Sequence, residues 1–288
     1  MSAGIIRIGT SGWTYAEWRG VFYPKGLKRE QELSFAASQF AAIEINGTFY
    51  GQQRPDTFAN WARQVPAHVQ FAVKAPRFIT HVQRLRDVEA PIANFIASGL
   101  LRLGSHLGPI LWQLPPSFRF DPVRLEPFLR LLPRDTPAAA RLGQRHDSAL
   151  RSPPALDFDM DRPIRHALEV RHDSFVCPEF IDLLRAHDVA LVCSDGAGLP
   201  RFMDVTAGFV YCRLHGATDL YASGYDAAEL DSWAERLRLW TTGGSVPQAD
   251  RLAGVAPRRK RDVYLFFDNT MKVAAPTNAL ELMRRLRR

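Results

Sequence analysis

Cysteine is scarce in this 288-residue chain: Cys177, Cys193 and Cys212 are all it has. Their spacing matches no metal knuckle, and so sparse and odd a set argues against a disulfide framework and for a reducing compartment. Cys193 and Cys212 lie inside apolar runs and are expected to be buried small hydrophobes. No apolar run approaches the ~20 residues of a membrane span. The opening Met1-Ser2-Ala3-Gly4 lacks the charged and apolar regions of a signal peptide. The expectation is a cytoplasmic protein with no membrane partner. No G-x-G-x-x-G or P-loop follows any strand-like run, which argues against an open nucleotide-binding sheet. No cofactor is expected. Internal repeats, linkers and low-complexity blocks are also missing, so residues 1–288 read as one domain.

The composition is that of an ordinary globular chain, 46% hydrophobic and 23% charged. The net charge of +7 suits anionic partners. Five apolar runs interrupt themselves with polar residues of a single parity: 42–46 (Ala-Ile-Glu-Ile-Asn), 71–74 (Phe-Ala-Val-Lys), 110–114 (Ile-Leu-Trp-Gln-Leu), 167–171 (Ala-Leu-Glu-Val-Arg) and 211–215 (Tyr-Cys-Arg-Leu-His). Side chains alternate between the faces of a strand, so Glu44 and Asn46 share one face, as do Glu169 and Arg171, and Arg213 and His215. Buried charges on one parity are costly unless paired or functional. Their repetition points to one polar pocket lined by strand ends.

Eight strand-like runs can be counted, near 5–10, 42–46, 70–75, 109–114, 165–171, 189–194, 208–214 and 262–268. Helical patterns fill most gaps: 56–65 behind Pro55, 87–103, a helix opened by Pro178, one started by Asp226 with Glu229 in a capping box, and a last one capped by Thr277. Alternating strands and helices at this length predict an α/β fold, a single (β/α)8 TIM barrel. Two stretches break the rhythm. Residues 11–32, with Trp13, Tyr15, Trp18, Phe22 and Tyr23, form a long first βα loop. Trp13, Tyr15, Trp18, Phe49 and Tyr50 after strands one and two, and Tyr221 and Tyr225 after strand seven, serve either to stack on a ligand ring or to pack a loop on the rim. Residues 133–164, rich in Pro, Arg and Asp, read as a peripheral, partly mobile excursion between strands 4 and 5.

Six ordered motifs carry a resemblance: Gly9-Thr10-Ser11-Gly12-Trp13; Glu44-Ile45-Asn46-Gly47-Thr48-Phe49-Tyr50; Phe71-Ala72-Val73-Lys74; 111–116 (Leu-Trp-Gln-Leu-Pro-Pro); 169–175 (Glu-Val-Arg-His-Asp-Ser-Phe); and 211–216 (Tyr-Cys-Arg-Leu-His-Gly). Together they resemble the YecE-like family, whose domain is one of unknown function. The resemblance covers almost the whole chain, implies a TIM barrel, and implies no established reaction. This chain departs from the family pattern at Asp268-Asn269, where a pair of asparagines is usual, and at Phe175, where tryptophan is usual.

In a TIM barrel the C-terminal strand ends form the active site. Glu44, Lys74, Glu169 and His215 are the candidate proton-transfer groups, with Lys74 also a candidate Schiff-base amine. Arg171 and Arg213 are planar anion binders, or else partners of the two glutamates. Thr10, Ser11, Asn46, Tyr50, Gln113, His172, Tyr225, Asp268 and Asn269 complete the candidate substrate contacts. Histidines near the mouth are His81, His172 and His215, and no metal site is expected because Lys74, Arg171 and Arg213 compete for the same carboxylates. Those three cations against Glu44 and Glu169 leave a positive surplus, so a small anionic molecule is the expected partner. Its reaction would be acid/base chemistry on a small anionic or ring-containing substrate. A nucleic-acid processing barrel and a non-catalytic sensor are the rival readings. The basic clusters Arg258-Arg259-Lys260-Arg261 and Arg284-Arg285-Arg287-Arg288 belong to the opposite end of a barrel and read as solvated charge.

Overall fold

The computed structural model describes residues 3–196, 198–216, 220–221 and 223–287. Its strands are β1 (Ile6–Ser11), β2 (Ala42–Ile45), β3 (Gln70–Lys74), β4 (Leu107–Gln113), β5 (His166–Glu169), β6 (Ala190–Gly196), β7 (Phe209–Gly216) and β8 (Asp262–Phe267). All pair in parallel, in sequence order, and β8 pairs with β1 to close the barrel. The helices are α1 (Glu32–Gln39), α2 (Gly47–Tyr50), α3 (Pro55–Arg63), α4 (Glu89–Ala97), α5 (Pro122–Leu131), α6 (Thr136–Gly143), α7 (Pro178–Ala186), α8 (Ala227–Thr241) and α9 (Ala274–Leu286). None is long and apolar enough to cross a membrane.

Alternation along each strand separates two cores. Ala42, Ala72, Leu111, Ala167, Val192, Tyr211 and Phe266 pack inside the barrel. Ile43, Val73, Trp112, Leu168 and Leu214 face the helices. The alanines make room for the rings of Tyr211 and Phe266, whose centroids are 5.2 Å apart. The interior is thus filled in layers, as a small barrel requires. Polar residues are left to its two ends.

Trp112 shows how the outer layer is fixed. Its Nε1 donates to His166 Nδ1 at 3.1 Å, so the imidazole carries its proton on Nε2, which donates to the Pro133 carbonyl at 2.7 Å. Burial pushes His166 down to about 3. The unfolded imidazole titrates near ~6.5, so below that pH the unfolded chain binds the extra proton. Stability is therefore full above the unfolded value and falls as pH drops towards the folded one, by up to ~1.4 kcal/mol per pH unit. His166→Gln should flatten urea-unfolding stability between about pH 6 and 4; an unchanged slope would show that this histidine is not held neutral.

Four expectations need correction. Thr277 does not cap the last helix: α9 begins at Ala274, and Thr277 Oγ1 donates back to the Val273 carbonyl at 3.2 Å. Pro276 falls in the first turn, where a missing N–H costs nothing, so the helix starts upstream of it. The stretch 133–164 supplies no barrel strand, but it carries α6, capped by Asp135 accepting from Ala138 N at 2.7 Å. A Cβ on Gly143 would meet Leu156 Cδ2 at 2.3 Å, so the excursion folds tightly against its own helix. Residues 32–39 and 122–131 are helical where no helix is expected. Arg261 is not solvated: it is 1% exposed, with Nη2 donating to the Pro257 carbonyl. Arg258, Arg259 and Lys260 are exposed ahead of β8, away from the C-terminal end, and Arg288 lies outside the described residues.

The first βα loop packs on itself. Trp18 is fully buried and its Nε1 donates to the Thr270 carbonyl at 3.2 Å. Tyr23 OH donates to the Trp13 carbonyl at 2.5 Å, and Phe22 stacks on Phe40 with centroids 5.5 Å apart.

Candidate functional site

At the C-terminal ends of the strands the inward parity brings charged groups into contact. Arg213 lies at their centre, 1% exposed. Its Nε and Nη2 donate to the two oxygens of Glu44 at 3.0 and 2.8 Å, its Nη1 to Glu169 Oε2 at 2.7 Å, and Nη2 also to Ser11 Oγ at 3.1 Å. Asp268 Oδ2 lies 3.1 Å from Nη2. Glu44 also accepts from Ser11 Oγ and Tyr211 OH, both at 2.7 Å. Its oxygens are saturated and buried, so it anchors the guanidinium and is closed to substrate.

Glu169 has further partners besides Arg213. Gln113 Nε2 and Arg171 Nε each donate to its Oε1 at 2.9 Å. Burial favours protonation of Glu169, but Arg213 and then Arg171 outweigh it and hold the carboxyl well below the usual range. Asp268 is likewise held low: burial opposes ionisation, and Arg213 and His215 overcome it. His215 Nδ1 sits 2.8 Å from Asp268 Oδ2 and Nε2 is 3.9 Å from Glu169 Oε1. Among the described residues neither nitrogen has a partner aligned for a hydrogen bond. Asn46 Nδ2 donates to Ser11 Oγ at 2.8 Å, while its buried Oδ1 has no partner among the described residues.

Lys74 differs from its neighbours. It ends β3 on the same parity and is 8% exposed. Among the described residues its amine makes no hydrogen bond and no ion pair. Its Nζ rests 4.2 Å from the centroid of the Phe49 ring. Burial, and then the positive charge of Arg213, push it down to about 8. His81 meets the same Phe49 ring edge-on, with centroids 5.1 Å apart. Burial, followed by the charges of Lys74, Arg77, Arg171 and Arg84, pushes His81 down to about 4. Thr80 Oγ1 lies 2.9 Å from His81 Nδ1.

With Asp268 included, the buried network balances three cations (Lys74, Arg171, Arg213) against three carboxylates. The positive surplus expected from Lys74, Arg171, Arg213, Glu44 and Glu169 alone is thus absent from the network itself. It reappears one layer out: among the described residues Arg77 and Arg84 have no carboxylate partner, and both act on His81. Backbone strain gathers at the same end. Five of the six non-glycine residues with positive φ among the described residues, Arg84, Leu85, Asp87, Tyr221 and Val273, lie in loops after β3, β7 and β8. A π-helical turn spans Phe78–Val82. Such features persist where the surroundings over-determine them, and they concentrate at functional sites.

Ser11, Glu44, Asn46, Lys74, Gln113, Glu169, Arg171, Arg213, His215 and Asp268 are therefore brought together. Thr10, Tyr50, His172, Tyr225 and Asn269 are not. Thr10 has the opposite parity to Ser11 and donates to the Gly12 carbonyl at 2.9 Å. Asn269, one residue past Asp268, is turned away and donates to the Ser223 carbonyl at 2.9 Å and Asn278 Oδ1 at 3.1 Å. Tyr225 OH accepts from Gly216 N at 3.2 Å and donates to the Asp195 carbonyl at 3.1 Å. His172 Nδ1 accepts from Ser174 N at 3.0 Å, capping a short turn. Tyr50 is 77% exposed on the rim. Two inward-facing residues were not marked as candidates. Tyr211 shares parity with Arg213, a signal that was available. Ser194, buried with a hydroxyl that has no partner among the described residues, shares parity with Val192. Phe49 and His81, expected only as an aromatic after strand two and a histidine near the mouth, follow strand ends, where no periodicity shows that they meet each other and Lys74. Among the described residues no group of His, Cys, Asp and Glu is arranged to hold a metal ion.

A closed parallel barrel with ionisable groups gathered at its C-terminal end is a TIM-barrel protein, and the site is its mouth. The chain belongs to the family described as protein of unknown function DUF72, whose model matches residues 7–288. This is the YecE-like family that the six motifs resemble. Escherichia coli K12 UPF0759 protein YecE is 26% identical over 114 residues, 40% of this chain and 39% of the relative. Bacillus subtilis UPF0759 protein YunF is 29% identical over 119 residues, 40% of this chain and 41% of the relative. The chain thus spans about two-fifths of the length of the curated relatives it matches. A crystallised DUF72 family protein from Thermotoga maritima is 26% identical, with 99% of this chain and 100% of that one covered at a TM-score of 0.74. One from Enterococcus faecalis, at 17% identity, 99% and 98% coverage and a TM-score of 0.67, shares the fold.

Proposed function

We propose that this protein is a cytoplasmic enzyme that carries out acid/base chemistry on a small anionic substrate at the barrel mouth, with Lys74 as the reacting group. The observation that carries this reading is the isolation of that amine. Among the described residues the carboxylates and guanidinium groups of the buried network are each engaged by an opposite charge, whereas Lys74, held by a rigid strand end, has no such partner. A group with a pKa close to the working pH transfers protons efficiently, and at neutral pH a useful fraction of such an amine is free base. The charges of Glu44, Glu169 and Asp268 favour the ammonium and limit how far burial lowers it. Arg171, 14% exposed, with Gln113 beside it, supports the binding of the anionic part, and Arg77 and Arg84 extend the positive field outward.

Reductive methylation with a 13C label makes each of the five lysines visible by NMR. Lys74 should titrate near 8, whereas an exposed lysine titrates near ~10.4. A midpoint for Lys74 at the ordinary value would remove the basis for this function. In a screen of small carboxylates and phosphates, Lys74→Met should keep ligand-induced thermal shifts and lose turnover.

A further inference from the structure

We propose that Lys74 is a covalent nucleophile that condenses with the carbonyl of a small oxo acid, whose carboxylate is received by Arg171. This deepens, and rests on, the assignment of Lys74 as the reacting amine. The geometry favours attack over mere proton exchange in three ways. The amine has no hydrogen bond or ion pair among the described residues that would tie up its lone pair or hold it as an ammonium. It ends a barrel strand, so its reach into the mouth is fixed by β3 rather than by a loop. And it sits over the face of Phe49, 4.2 Å from the ring centroid, where a cation is stabilised whether ammonium or iminium. The site that accommodates the starting charge therefore also accommodates the product charge, with Glu169, Glu44 and Asp268 acting on both.

The step balances as follows. The neutral Nζ lone pair forms a bond to the carbonyl carbon, and the C=O π pair moves to oxygen. A proton passes from nitrogen to that oxygen, giving a neutral carbinolamine. Taking up one further proton, the hydroxyl leaves as water while the nitrogen lone pair forms the C=N bond. The sum is amine plus carbonyl plus one proton giving an iminium ion and water, with no change of oxidation state. His81, which faces Phe49 beside the amine, is placed to carry the proton. Its imidazole is kept neutral by burial and by the surrounding cations, so it relays the nitrogen's proton to the carbonyl oxygen, and it then passes on the further proton, drawn from solvent at the partly open mouth, with which the hydroxyl leaves as water. The partner is an oxo acid rather than a simple aldehyde because of the cations on this side of the mouth. Arg171 keeps Nε and Nη2 on Glu169, each 2.9 Å from Oε1, and among the described residues Nη1 is the part of its planar fork left for a carboxylate at the partly open edge.

The experiment is reductive trapping. The intact protein is incubated near neutral pH with glyoxylate or pyruvate, and in parallel with a neutral short-chain aldehyde, under borohydride, followed by peptide mapping. With five lysines in the chain, the position of the adduct is unambiguous. The expected result is one carboxyalkyl group on Lys74, formed ahead of the other four lysines. Lys74→Arg keeps the positive charge and should abolish that adduct. Arg171→Met should cut oxo-acid trapping about tenfold, the cost of one charged hydrogen-bonded contact, and leave aldehyde trapping unchanged. Equal trapping of aldehyde and oxo acid, insensitive to Arg171→Met, would overturn the oxo-acid assignment. No adduct on Lys74 while its titration midpoint stands near 8 would overturn the imine and leave the proton-transfer reading in place. No adduct together with an ordinary midpoint would overturn both.

Discussion

Arg213→Met is expected to cost about 3–5 kcal/mol of unfolding free energy, among the largest losses for a single substitution at the mouth. The methionine fills the volume but strands Glu44 and Glu169, both fully buried, with their charges uncompensated. Tyr211, Ser11 and Gln113 still donate to them, which bounds the loss without removing it. Arg213→Lys is not a mild change either, because a compact ammonium with three donors cannot reproduce the four bonds that the planar fork makes to Glu44, Glu169 and Ser11. The pH dependence identifies the cause. A stranded, buried Glu169 takes up a proton more readily than the same group held low by arginine, so the variant's deficit relative to the parent should shrink as pH falls. Urea unfolding near pH 7 and again near pH 5 measures both quantities. A deficit below about 1 kcal/mol, or one independent of pH, would mean that the guanidinium contributes little to holding the mouth together.

Trp18→Ala should be of similar size, about 3–5 kcal/mol, although the residue lies in a loop. The indole is fully buried, touches Tyr15, Phe22 and Tyr23, and bonds the backbone beyond β8. If the aromatics of residues 11–32 were there to stack on a ligand, removing one would reduce binding and leave stability alone. Packing predicts the reverse order: a large loss of stability, with Trp18→Phe recovering most of it and losing chiefly the Nε1 bond of about 1 kcal/mol. Equilibrium unfolding of the two variants, with limited proteolysis within 11–32, separates the cases.

Much of the mouth was legible because a strand has a period of two. Glu44 with Asn46, Glu169 with Arg171, and Arg213 with His215 are spaced so that one member drags the other to the same face, and the structure puts both inside. The same rule explains the failures. Thr10-Ser11 and Asp268-Asn269 are polar pairs of adjacent residues, and only one of each can face inward; nothing local says which. Tyr225 and His172 lie in loops, where no period applies, and their polar atoms are spent on backbone groups. His81 reaches Phe49 through a π-helical turn, an irregularity that apolar patterning does not announce. Helix starts were legible where chemistry marks them. Asp226 and Glu229 form the expected reciprocal cap, with both bonds at 2.8 Å. The helix at 136–143 was hidden by its surroundings of proline and charge.

The guanidinium of Arg213 is bonded to a carboxylate 169 residues earlier on β2 and to another 44 residues earlier on β5, and it reaches a third just beyond β8. Contacts of such long range form only after the chain has closed the ring, because the loop entropy must be spent first. No half of the barrel holds a usable version of this site, since β2 lies in one half and β5, β7 and β8 in the other. Chemistry at the mouth is thus tied to topological completion: a molecule folded everywhere except at the β8–β1 seam has its core and its helices and still lacks the site. Recovery of ligand binding during refolding then reports ring closure itself, later than the return of helical signal.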